Sequence, residues 1–242
     1  MNGTNTAPDQ VNALDIENIY KYYGDFAALR DIGFRVSQGS TVALLGRNGA
    51  GKTSLLRIVA GLSKPSQGNV RVLGTDARQE SARRRIGVLG HGISLYDELT
   101  ATENLMLFAR LYNLDEPRKR AHAWLERTGL ERVRDGLVRE FSRGMRQRLA
   151  VARAFLHEPE LLLFDEPFTA LDDRAITVLQ TLLAEAHAQG RTIVMSTHQL
   201  KEALELATHV ALIRRGQIAY AGERCREMVE DTGWLYRTYE DN

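Results

Sequence analysis

The sequence predicts an α/β chain: a core of mainly parallel sheet, an antiparallel β-subdomain ahead of it, and an inserted helical subdomain. Three observations carry that reading. Short continuous apolar runs at residues 41–45, 161–164 and 192–195 have the composition of strands covered on both faces. Strand and helix patterns alternate on either side of the chain's middle third. Between about residues 93 and 157 the strand pattern gives way to three helical segments in succession.

Taken in order, residues 1–12 are polar, lack the apolar core of a signal peptide, and are expected as a disordered tail. Leu14-Asp15-Ile16-Glu17-Asn18-Ile19 alternates, and Ile32-Gly33-Phe34-Arg35-Val36 follows as a second strand-like run. Gln38-Gly39-Ser40 is a turn ahead of the strand at 41–45. A glycine-rich loop comes next, then a helix from Thr53 to Ala60 that stops at Gly61. Strands at 69–73 and 85–89 bracket a charged loop. Thr100-Ala101-Thr102-Glu103 is a capping box, expected to open a helix with Leu105, Phe108, Leu111 and Tyr112 on one face. Asp115 is placed to cap a second helix running to Gly129, and Ser142 a third running through His157. The alternation then resumes with the strand at 161–164, a helix from Asp173 to Gln189 closed by Gly190, and the strand at 192–195. A helix from Gln199 and a hairpin at Arg215-Gly216-Gln217 complete the pattern, and the last dozen residues, with Trp234 and Tyr236, carry no motif. The expected organisation is a core of 13–92 and 158–230, an insert of 93–157, and tails at 1–12 and 231–242.

Composition narrows the function classes. The 242 residues hold 32 basic and 31 acidic side chains, a formal net charge of +1, with no basic arm, so nucleic acid is not an expected partner. Cys225 is the one cysteine, which excludes an internal disulfide and a cysteine-rich zinc site and fits a reducing compartment. No apolar run approaches the roughly 18 residues that span a bilayer, so the chain is expected in the cytoplasm, with any membrane role reached through a partner.

Gly46-Arg47-Asn48-Gly49-Ala50-Gly51-Lys52-Thr53, followed by Ser54, fits the phosphate-binding pattern G-x-x-x-x-G-K-[ST]. Its glycines let successive N–H groups face one anion, and the following helix adds its positive end. Lys52 would meet the β- and γ-phosphates of a nucleotide and Thr53 would offer its hydroxyl to Mg²⁺. The pattern arises by chance on the order of once in a hundred chains of this length, and its place between a strand and a helix lowers that further. Asp165-Glu166 ends the run at 161–164. A carboxylate there can hold a water of the Mg²⁺ shell, and its neighbour can act as general base toward the attacking water. The expected core is thus that of a phosphate-loop nucleoside triphosphatase, with ATP and Mg²⁺.

With those residues in place, the chain resembles a nucleotide-binding subunit of the ATP-binding cassette (ABC) family from about Asp15 to Gly222. Phe141-Ser142-Arg143-Gly144-Met145 sits where that family has its signature L-S-G-G-Q, followed by the typical Gln147-Arg148-Leu149-Ala150-Val151-Ala152-Arg153-Ala154. Read by itself, Ser142 is an N-cap whose hydroxyl and free N–H groups form an anion site. The resemblance implies that Ser142, Arg143, Gly144 and Met145 serve the γ-phosphate held by a second subunit. It implies likewise that Asp172, in Phe168-Thr169-Ala170-Leu171-Asp172, lies in the loop joining two subunits, and that His198 is a switch contacting the γ-phosphate. Tyr23 matches the aromatic residue on which the family stacks adenine, with Tyr22 a competing candidate.

Three positions depart from the family pattern. His91 stands where a Mg²⁺-sensing glutamine is usual, Arg143 replaces the first signature glycine, and Met145 replaces the signature glutamine. A neutral imidazole at 91 can hydrogen-bond a Mg²⁺-bound water, whereas a protonated one is repelled. These residues, together with Leu95-Tyr96-Asp97-Glu98-Leu99 and Phe108-Ala109-Arg110-Leu111-Tyr112, are similar to ATP-binding subunits of haem exporters in cytochrome c maturation. The resemblance implies a peripheral ATPase at the cytoplasmic face of the membrane, paired with a second such subunit as a homodimer and with membrane permease subunits. Drug or polysaccharide exporters, and a soluble non-transport ABC ATPase, are the alternatives it leaves.

Overall fold

The computed structural model describes residues 12–90 and 95–239. The chain opens with a hairpin of β1 (Asn12–Tyr23) and β2 (Phe26–Ser37). Leu14, Ile16 and Ile19 are buried while Glu17 and Asn18 face solvent. A register shift between Ile16 and Ile19, with Asn18 at φ 49°, lets two isoleucines three residues apart both point inward. β1 also pairs antiparallel with β4 (Gln67–Val72), and β4 with the short β5 (Thr75–Asp76), giving the sheet order β2-β1-β4-β5.

The second sheet contains β3 (Thr41–Leu45), β6 (Ile86–Leu89), β7 (Leu161–Asp165), β8 (Thr192–Ser196), β9 (His209–Arg214) and β10 (Gln217–Glu223), in the order β10-β9-β3-β8-β7-β6. Every neighbouring pair is parallel except β9–β10 at the edge. The continuous apolar runs are explained by burial on both faces. Val42, Leu44, Leu161 and Leu163 pack on one side with Leu55 and Ile58 of α1 (Lys52–Val59) and with Leu14 and Ile16 of the antiparallel sheet. Ala43, Leu45, Leu162 and Phe164 pack on the other, with Leu179 and Leu183 of α6 (Asp173–Ala188). The charged loop expected between the strands at 69–73 and 85–89 folds a single turn, α2 (Glu80–Arg83).

The helical insert comprises α3 (Ala101–Leu111), α4 (Pro117–Arg127) and α5 (Arg143–Phe155), with short 3₁₀ turns at Glu131–Val133 and Val138–Glu140. The capping box forms in full: Thr100 Oγ1 accepts from Glu103 N at 3.1 Å, and Thr100 N donates to the Glu103 carboxylate at 2.8 Å. The expected apolar face of α3 needs one correction. Ala101, Leu105 and Ala109 are fully buried, whereas Leu111 is 61% exposed. The spacing of four carries the seam, and Leu111 falls off it. Asp115 does not cap α4. Glu116, at φ 50°, occupies that position because Pro117 begins the helix with φ already fixed. α5 ends at Phe155, so His157 follows the helix rather than closing it.

After β8 come α7 (Leu200–Leu206), the β9–β10 hairpin, α8 (Arg226–Glu230) and α9 (Trp234–Tyr239). The segment expected as a C-terminal tail therefore contains a helix, whose Leu235 is buried in the same core as Phe164 and Met195. Among the described residues no helix is long and apolar enough to cross a membrane.

Candidate active site

β3 runs straight into the glycine loop, and two of its glycines are required by geometry. Gly46 has φ +144°, and a Cβ there would stand 2.3 Å from the carbonyl oxygen of Ile213. Gly51 has φ +111°, and a Cβ would lie 2.7 Å from the Ala28 carbonyl oxygen. The loop is thus wedged between β9 and β2 and delivers its amides to the N-terminus of α1, where anions are favoured. Gly216 N donates to Ala50 O at 3.1 Å and Arg30 N to Gly216 O at 2.7 Å, tying the loop to the β9–β10 turn and to β2.

Lys52 is only 7% exposed, and its Nζ donates to the carbonyls of Gly46 at 2.7 Å and Arg47 at 3.3 Å. Burial lowers its pKa, with the negative charges of Glu166 and Asp165 acting against that shift. Thr53 Oγ1 donates to Asp165 Oδ2 at 2.8 Å, and Ser196 Oγ donates to the other carboxylate oxygen. Asp165 is the last residue of β7 and lies opposite Ser196 of β8, so the strand register alone brings them together.

Glu166 leaves β7 at φ 56°, a conformation costly for a residue with a Cβ. It is held there by its N–H, which donates to Ser196 O at 2.9 Å. Its carboxylate faces His198: Oε2 lies 2.8 Å from Nδ1 and accepts from His198 N at 3.2 Å. At the end of β1, Tyr23 is half exposed, with Oη 3.5 Å from Ser54 Oγ and Lys21 Nζ 5.1 Å from the ring centroid. Tyr22 instead stacks on Tyr20.

Tyr23, residues 48–54, Asp165, Glu166 and His198 line one cleft of ≈ 600 Å³, within the range of small-molecule sites. Phe26, Ala28 and Thr169 line it too, and sequence reasoning missed them. Phe26 had a signal, as the first residue of β2 directly across the hairpin turn from Tyr23. Gly46 and Arg47 begin the loop but do not line the cleft; Arg47 faces a separate hollow beside Arg214 and Arg215. Ser142, Arg143, Gly144 and Met145 are also outside its lining. Ser142 caps α5, its Oγ accepting from Met145 N at 3.2 Å, and Asp172 caps α6, accepting from Ala175 N at 2.8 Å. His91 lies outside the described residues.

The residues present fit Mg²⁺. The Thr53 hydroxyl and the Asp165 carboxylate are hard oxygen donors on one side of the cleft. Among the described residues no group of three or more His, Cys, Asp or Glu side chains is assembled as a metal cage. Mg²⁺ in nucleotide sites is generally held by one or two protein oxygens, with water and phosphate completing its shell.

A buried strand that turns its amides onto a cleft, faced by carboxylates from the end of β7 two strands away in the sheet, is the architecture of a phosphate-loop ATPase. Residues 29–169 match the family model described as ABC transporter, and the chain belongs to that family as an ATP-binding subunit, an ABC ATPase. It is 40% identical over 200 residues to the ABC transporter ATP-binding protein NatA of Bacillus subtilis, covering 81% of each chain. It is 39% identical to a probable sulfate/thiosulfate import ATP-binding protein of Chlorella vulgaris, over 86% of this chain and 89% of that one. To a Nod factor export ATP-binding protein of Cupriavidus pinatubonensis it is 37% identical, over 84% of this chain and 64% of that one. Among solved structures, the ATP-binding subunit of an ABC transporter superposes with TM-score 0.82 at 31% identity, over 94% of both chains. A dimeric ATP-binding cassette in a post-hydrolysis state, bound to ADP and Pi, superposes with TM-score 0.79 at 27% identity, over 88% of this chain and 99% of that one.

Proposed function

We propose that this chain is the ATP-hydrolysing subunit of a membrane exporter, and that two such chains close on two ATP molecules at a shared interface. The observation that carries this reading is the division of the site. Lys52, Thr53, Asp165, Glu166 and His198 line one cleft, while the N-terminus of α5 at Ser142, an end that favours anions, lies outside that lining and would meet a nucleotide held by a second chain.

The loop amides from Asn48 to Gly51 receive the phosphates, and Lys52 exchanges the carbonyls of Gly46 and Arg47 for phosphate oxygens. Tyr23 offers a ring face to the adenine. Thr53 and Asp165 would hold Mg²⁺ and His91 would hydrogen-bond a water of its shell; the ion would supply positive charge against the nucleotide's phosphates. Glu166 accepts the proton of the attacking water. His198 holds one oxygen of the Glu166 carboxylate through both its backbone N–H and its ring Nδ1, and reaches the γ-phosphate. Ser142, Arg143, Gly144 and Met145 cover the partner's γ-phosphate, and the Asp172 loop crosses between the chains. Closure moves permease subunits through the helical insert, which places the chain peripherally at the cytoplasmic face of the membrane.

Haem export for cytochrome c assembly is the cargo we assign on the sequence resemblance around residues 91–112 and 142–145. The Nod factor export relative favours a second reading, an exporter of another small molecule. Co-expression with a haem-exporter permease and, separately, with a small-molecule exporter permease, followed by haem-stimulated turnover, separates the two. The core reading is tested by Glu166→Gln. Turnover is expected to fall by a factor of 100 or more, roughly the share of a general base, while ATP converts the variant from monomer to dimer on size exclusion. A variant that stays monomeric in saturating Mg-ATP overturns the shared site.

A further inference from the structure

α5 carries the signature at its head, yet its second turn is bonded to the loop of this chain's own general base. Gln147 Nε2 donates to the carbonyl oxygen of Pro167 at 3.0 Å, and Pro167 directly follows Glu166. A second approach lies one turn earlier: a Cβ on Gly144 would stand 3.1 Å from Ala170 O. The segment so gripped is not free to relax. Glu166 and Ala170 both hold left-handed φ values, 56° and 65°, and Phe168 between them is 1% exposed. Such conformations persist only where the surroundings impose them. Thr169, in the same segment, lines the nucleotide cleft.

We propose that Gln147 is a positioning residue that makes the placement of Glu166 depend on what the signature end of α5 has engaged. The proposal rests on the shared-site reading above. In that arrangement Ser142 touches the partner's nucleotide, five residues along the helix from the bond to Pro167, and α5 is a rigid lever over so short a span. A shift of α5 on engaging the partner's γ-phosphate is delivered to the Pro167 carbonyl, and so to the φ and the carboxylate direction of Glu166. Each site is then fully competent only when its own chain's signature is occupied, which makes hydrolysis cooperative in ATP. Gln147 does not itself line the cleft, so ATP binding to a single chain does not depend on it.

The test is steady-state ATPase against ATP concentration for the parent, Gln147→Leu and Gln147→Asn. Leu keeps the bulk without a donor, and Asn keeps the donor one methylene short. Arg148→Met is the control, because Arg148 on the same turn donates, among the described residues, to the carbonyls of Thr128 and Gly129 inside the helical insert. Both Gln147 variants are expected to lose about three- to tenfold in kcat, the scale of one neutral hydrogen bond. Their Hill coefficient should fall toward 1, with the dissociation constant for a fluorescent ATP analogue in the monomer unchanged. Arg148→Met should keep the parent's Hill coefficient. A cooperative parent whose cooperativity and kcat survive in both Gln147 variants overturns the proposal and leaves the shared site standing. A Glu166→Gln variant with no ATP-driven dimer overturns both.

Discussion

His157 ends the helical insert against the sheet, in an environment that no local pattern announces. Its ring stacks on Tyr112 with centroids 3.9 Å apart, and Nε2 lies 3.1 Å from the carbonyl oxygen of Ile86, while Nδ1 is buried with no partner among the described residues. Burial pulls its pKa down to about 4, the bond to Ile86 opposes that, and the charges of Arg153 and Arg191 add to it. An unfolded imidazole titrates near 6.5, so between about pH 6.5 and 4 the unfolded chain binds the extra proton. Stability from this residue is complete above pH 6.5 and is lost as pH falls toward 4, on the order of 3 kcal/mol in all. Urea unfolding at pH 7 and pH 4.5 should show a smaller loss in His157→Phe than in the parent; equal losses would place the titrating group elsewhere. The phosphate-loop residues were legible because their chemistry is set by neighbours in sequence. Phe26, Gln147 and His157 were not, since each draws its role from a contact across the fold.

At the scale of elements, α5 shows which local rules are sufficient. Ser142 was readable as a cap because a hydroxyl bonding the third N–H of its own helix needs nothing distant. Asp115 fails as a cap by an equally local cause, Pro117 two residues on, which outranks a carboxylate in setting where the helix begins. The two expected uses of Ser142 can be separated. Aspartate caps a helix as well as serine, so Ser142→Asp should unfold within about 0.5 kcal/mol of the parent. Yet it aims a negative charge where a partner's γ-phosphate would dock, and like charges about 4 Å apart repel by several kcal/mol even at an effective permittivity of ~20. ATP-driven dimerisation of Ser142→Asp, measured by light scattering in the Glu166→Gln background, should therefore be lost. Ser142→Asp dimers as abundant as the parent's would remove α5 from the interface.

Over the whole molecule, the alternation of strand and helix was legible and the closing of the C-terminus was not. Apolar runs report burial on both faces, which is enough to infer a parallel sheet. Trp234-Leu235-Tyr236 has no such regularity, because a helix of only six residues can be held by one inward residue. That residue is Leu235, 2% exposed among the side chains that pack under β7 and β8. Around it, Tyr239 packs on Tyr220 with ring centroids 5.1 Å apart and meets Trp234 edge to face, and Arg214 Nη1 donates to Tyr239 O at 3.1 Å. The helix so held rests against β9 and β10, the strands whose intervening turn buttresses the phosphate loop through Gly216. If α9 is part of the cooperative core, Leu235→Ala opens a cavity and costs about 2–5 kcal/mol. The midpoint of urea unfolding should fall with an unchanged slope, and nucleotide affinity of the folded protein should hold. If α9 were a detachable appendage, the midpoint would not move; a fall in slope would mean that it unfolds ahead of the rest.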